Sequence, residues 1–120
     1  MHNKVELLDT GIIYVEKAGN QSESSLLALY EKINEFVIGL RAQDKPVLIL
    51  SNLEKESAMS PKVIKTAIKV GLELDYDKSA TFGSSTYLRN LRQLLVRGTQ
   101  MDQKVANFKT KKEAVTWLLT

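Results

Sequence analysis

The chain has 120 residues, 43% of them hydrophobic and 26% charged, with a net charge of +3, which suits one globular domain over residues 1–120 and lies far from disordered composition. It contains no cysteine, and its one histidine, His2, stands at the terminus. That excludes disulfide frameworks, thiolate nucleophiles and Cys- or His-based metal clusters, so no metal site and no cofactor is expected.

In chain order, Val5-Glu6-Leu7-Leu8 and the β-branched run 11–16 flank Asp9-Thr10 and predict a β-hairpin. Gly19-Asn20-Gln21-Ser22 breaks the pattern, and Ser22 or Ser24 supplies a helix N-cap. Leu26, Leu29, Tyr30, Ile33, Phe36, Val37 and Leu40 then recur at three-and-four spacing, predicting a helix over 26–40. After Asp44-Lys45-Pro46, residues 47–50 are apolar at every position, as in a strand buried on both faces of a parallel sheet. Residues 51–59 read as a polar connection.

Ser60-Pro61 starts a helix: the hydroxyl caps free N–H groups, and proline at the first helical position loses no hydrogen bond. Val63, Ile64, Ala67, Ile68 and Gly71 share one side of it, with Lys62, Lys65 and Lys69 opposite. A strand over 79–82 follows. Gly83-Ser84-Ser85 then turns the chain into a helix built on Tyr87, Leu88, Leu91, Leu94 and Leu95, which Gly98 ends. Residues 105–108 form a last strand, and Thr110 with Glu113 caps a terminal helix carrying Ala114, Val115 and Leu118. The order β-β-α-β-α-β-α-β-α defines an α/β fold, a mixed, mostly parallel sheet with helices packed on it.

That order resembles the STAS fold of sulphate-transporter domains and anti-sigma-factor antagonists, and is most similar to its free-standing bacterial branch. The wording that carries the likeness is Ala80-Thr81-Phe82-Gly83, Leu88-Arg89-Asn90-Leu91, Val105-Ala106-Asn107-Phe108 and Glu113-Ala114-Val115-Thr116-Trp117-Leu118. The resemblance implies a non-enzymatic regulatory or protein-interaction domain, or else a carrier or sensor of a small amphipathic, lipid-like or anionic ligand. Regulatory members carry an Asp-Ser-Ser-Gly-Leu type signature at the helix after the third strand. Here that stretch reads Ser57-Ala58-Met59-Ser60-Pro61-Lys62-Val63, so Ser60 matches the phosphorylated serine by position alone.

Open α/β sheets bind ligands beyond the carboxyl ends of their strands. The two loops expected there, 51–60 and 83–86, offer Ser51, Asn52, Ser57, Ser60, Gly83, Ser84 and Ser85. These either contact an anion or a partner, or merely cap helices and turn the chain. Lys62, Lys65 and Lys69 are either a solvated face or a contact for an acidic protein, an anionic membrane surface or a lipid headgroup. No recognised motif points to nucleic acid. Leu27 and Ile38 fall about 100–120° from the first helix's core stripe and read as isolated apolar residues or as a homodimer or partner surface. The acidic stretches 54–56 and 75–77 lack the spacing of a calcium loop. With no thiol, no internal histidine and no clear carboxylate dyad, the chain is not expected to be an enzyme. No apolar run reaches the roughly eighteen residues of a membrane span and no signal-peptide pattern opens the chain, so a cytoplasmic location is expected.

Overall fold

The structure, a computed structural model, describes residues 3–56, 60–83 and 104–120. The opening hairpin is present: β1 (Lys4–Leu7) and β2 (Ile12–Gly19) run antiparallel. Gly11, at φ 88°, closes their turn by donating its N–H to Leu8 O at 2.9 Å. Next come α1 (Glu23–Ala42), β3 (Leu48–Glu56), α2 (Pro61–Leu72), β4 (Lys78–Phe82), β5 (Val105–Phe108) and α3 (Lys111–Leu118). Ser22, Ser60 and Thr110 cap the three helices, their hydroxyls accepting from the N–H groups of Ser25, Val63 and Glu113. The predicted helix on Tyr87, Leu88, Leu91, Leu94 and Leu95 lies outside the described residues, as do Ser57, Ser84, Ser85 and Gly98.

The five strands follow sequence order across the sheet, and β2 to β5 are mutually parallel. α1 and α2 pack together on one face of the sheet, while α3 lies on the other. Two cores result. Ile13, Val15 and Ile49 pack with Leu29, Ile33, Val37 and Leu40 of α1. On the far face Ile12, Leu50, Ala80 and Phe82 pack with Ala114 and Leu118 of α3. Trp117 packs beside this second core, its ring centroid 5.8 Å from that of Phe108.

β3 runs well beyond the predicted 47–50, because its pairing with β2 continues to Gly19 and Glu56 after β4 has ended at Phe82. Ser51, Asn52 and Leu53 are therefore buried strand residues rather than a polar connection.

The acidic stretch 75–77 anchors α1 to the sheet. Arg41 donates Nε and Nη2 to Asp75 at 3.0 and 3.2 Å, and Nη1 to Asp77 at 3.1 Å. The same Asp77 oxygen accepts the Val47 N–H at 2.8 Å. That backbone hydrogen bond, and then Arg41, hold the Asp77 carboxyl below its usual range. The resulting stability is present in full above the ordinary aspartate pKa, about 4, and is lost as pH falls through the depressed value. Asp77→Asn keeps an acceptor for Val47 but does not titrate. It should lose less than about 1 kcal/mol at pH 7, since the ion pair is solvent-screened, and denaturant titrations should show its stability falling less steeply than the parent's in acid.

Candidate functional site

Alternation along the strands decides which side chains lie under α1 and α2: Ile13, Val15 and Lys17 from β2, Ile49 and Ser51 from β3, Ser79 and Thr81 from β4, and Val105 and Asn107 from β5. Strand register places Val15, Ser51, Thr81 and Asn107 in one row across the sheet. Three of these four are polar, two of them small hydroxyl side chains. Over them α2 lays Ile64, Ala67, Ile68 and Gly71, again with two small residues. Small side chains facing small side chains leave space, and a cavity of about 110 Å³ remains between α2 and the sheet. Tyr30 and Ile33 of α1 wall one side, and Leu74 and Tyr76 another. A side chain added at Gly71 would meet nothing closer than the Tyr30 hydroxyl, 3.8 Å from its Cβ position.

The polar groups of this cavity are only partly satisfied. Thr81 Oγ1 donates to Asn107 Oδ1, but the hydroxyls of Ser51 and Ser79 make no hydrogen bond among the described residues. Lys17 is only 6% exposed. It stands opposite Leu53 and Glu54, where the β2–β3 register shifts between Glu16 and Ala18. Its ammonium lies 3.5 Å from the Tyr30 hydroxyl, a long hydrogen bond, and 5.5 Å from the centroid of that ring. Among the described residues no carboxylate pairs with it. Burying an ammonium without a counter-charge is costly. Burial, and then the neighbouring Tyr30, raise the Tyr76 hydroxyl above its ordinary range and keep it a neutral donor.

Among the described residues the cavity wall contains no carboxylate and no imidazole. Among the described residues no group of three or more acidic or imidazole side chains converges on a metal position. A cation, free hydroxyls and an apolar wall are the components of a binding site; among the described residues no base is positioned for Ser51 or Ser79.

No protein-family model and no curated protein matches this chain by sequence. Solved structures do match by shape. An uncharacterized protein of the DUF3478 family from Shewanella loihica PV-4, described as SpoIIAA-like in fold, superposes with a TM-score of 0.63 at 15% identity, over 97% of this chain and 91% of that one. The anti-sigma-factor antagonist SpoIIAA in its unphosphorylated form gives 0.61 at 12% identity, over 98% and 97%. An anti-sigma-factor antagonist (STAS) domain protein from Planctomyces limnophilus gives 0.60 at 14% identity, over the full length of both chains. The chain has the SpoIIAA-like STAS fold.

On that fold the described residues among those singled out from the sequence take different positions. Ser51 faces α2 and the cavity. Asn52, its neighbour, faces the opposite side, where Nδ2 donates to the Tyr14 hydroxyl at 2.9 Å and Oδ1 accepts the Glu54 N–H at 3.0 Å. Ser60 is exposed and caps α2. Gly83 has φ 85° and lies against β3, its Cβ position 3.1 Å from Glu54 N. Lys62, Lys65 and Lys69 are exposed on the outer side of α2, Lys62 pairing with Glu23 of α1 at 3.4 Å. Leu27 and Ile38 are 53% and 62% exposed, roughly 16 Å apart along the α1 axis, so they form two apolar points rather than one patch. Sequence reasoning missed Lys17, Ser79, Thr81 and Asn107 as site residues. The available signal was their parity: each is two positions from another residue of the same covered face.

Among the described residues no helix is long and apolar enough to cross a membrane.

Proposed function

We propose that the chain is a non-enzymatic regulatory or protein-interaction domain of the STAS type that senses a small amphipathic anion held between α2 and the sheet. The observation that carries this reading is Lys17, a buried cation without a paired carboxylate among the described residues, on the wall of an otherwise mostly apolar cavity. The wall that meets the ligand is α2, whose outer side carries Lys62, Lys65 and Lys69, so a ligand that shifts this helix also shifts that basic face. An acidic partner or an anionic membrane surface meeting those lysines would read out the occupancy. A partner or second copy of the chain would use the exposed apolar points Leu27 and Ile38 on α1. That an anti-sigma-factor antagonist shares the fold supports the interaction half of the reading.

Native mass spectrometry of the purified chain, before and after incubation with a library of small organic acids, tests the sensing half. Retention of an acid, with proton-exchange protection in α2, is the expected result. A chain that takes up no acid refutes ligand sensing and leaves a surface-contact domain. Light scattering and pull-down test the interaction half, which a strict monomer recovering no partner would refute.

A further inference from the structure

Resting on the ligand-sensing reading, we infer that the cavity beneath α2 takes a compact monocarboxylate, with its carboxylate at Lys17 and Tyr30 and its apolar body against Ala67 and Gly71. Charge sets the first part. Lys17 is the one charged side chain on the cavity wall among the described residues, which balances a monoanion and leaves a phosphate dianion half-compensated. Donors for a carboxylate line the same cavity: the ammonium, the Tyr30 hydroxyl 3.5 Å from it, and the free hydroxyl of Ser51. Such charge-assisted hydrogen bonds are the strong ones.

Size sets the second part. The cavity measures about 110 Å³, against the roughly 150 Å³ of an apolar cavity that takes up benzene. It is therefore matched by a body of at most about one ring, or a short branched chain, and is too small to enclose a long acyl chain. The apolar side of that body meets α2, where Ala67 and Gly71 leave the space, while the sheet side offers Ser51 and Ser79.

The test is a titration of the isotopically labelled full chain with benzoate, benzyl alcohol and palmitate, followed by amide chemical shifts and repeated on Lys17→Met and Ser51→Val. Thermal melts establish that both variants are folded. Benzoate is expected to move the amides of Lys17, Tyr30, Ser51 and Ala67 saturably, and to bind about tenfold or more tightly than benzyl alcohol. Lys17→Met should erase that preference, and Ser51→Val should weaken benzoate severalfold. Equal binding of benzoate and benzyl alcohol, unchanged by Lys17→Met, overturns carboxylate recognition while leaving a ligand cavity in place. Preferred binding of palmitate overturns the size argument. Shifts confined to Lys62, Lys65 and Lys69 place the anion on the surface and overturn the proposal. No binding by any probe overturns both it and the sensing reading.

Discussion

Gly83→Ala is expected to lose about 2–3 kcal/mol of stability, read as a lowered denaturant midpoint at unchanged slope. Two effects add. At φ 85° an L-residue pays roughly 1–2 kcal/mol for the left-handed conformation. The new Cβ would also stand 3.1 Å from the Glu54 backbone nitrogen and against the Glu54 side chain, a contact that only a shift of β3 relieves. Gly83 follows the last paired residue of β4, Phe82, whose partner is Asn52, so that shift would loosen the end of the β3–β4 ladder. Gly83→Asn separates the two effects, because asparagine tolerates the left-handed region but keeps the Cβ. Its stability should fall between those of the parent and Gly83→Ala.

Lys17→Met should act in the other direction, raising stability by about 1–2 kcal/mol in the absence of ligand. Methionine keeps the length and flexibility of the lysine stem and fills irregular space well. It removes the ammonium of a residue only 6% exposed, with no carboxylate paired to it among the described residues. Replacing such a charge by an apolar isostere is commonly stabilising. Thermal melts at low and high salt check this: the gain should persist in high salt, because a buried charge is poorly screened. A loss of stability would mean that Lys17 contributes to the fold and is not held there for a ligand.

Much of the architecture was legible because its signals are local. The three-and-four spacing of Leu26, Leu29, Ile33, Val37 and Leu40 specifies α1, Ser60-Pro61 starts α2, and the apolar run at 47–50 marks a central strand. The site was less legible, since polar residues inside strands read as loops. Ser51 and Asn52 look like a connection, yet Asn52 is satisfied by Tyr14 from the neighbouring strand and Ser51 borders a cavity. Lys17 was hidden in the same way. Glu16-Lys17 looks like solvent-facing chain, but Glu16 pairs with Lys55 at 2.9 Å on one side of the sheet while Lys17 turns to the other. The row Ser51–Thr81–Asn107 exists only through the registers of three strands distant in sequence, and no periodicity within one segment reveals it.

A crystal structure of the chain grown with benzoate examines most directly the space bounded by Lys17, Tyr30, Ser51 and Ala67. It should show the carboxylate within hydrogen-bonding distance of Lys17 Nζ and the ring between Ala67 and the sheet. Density showing that space filled by side chains of the chain itself, with a carboxylate of the protein paired to Lys17, would contradict ligand binding there.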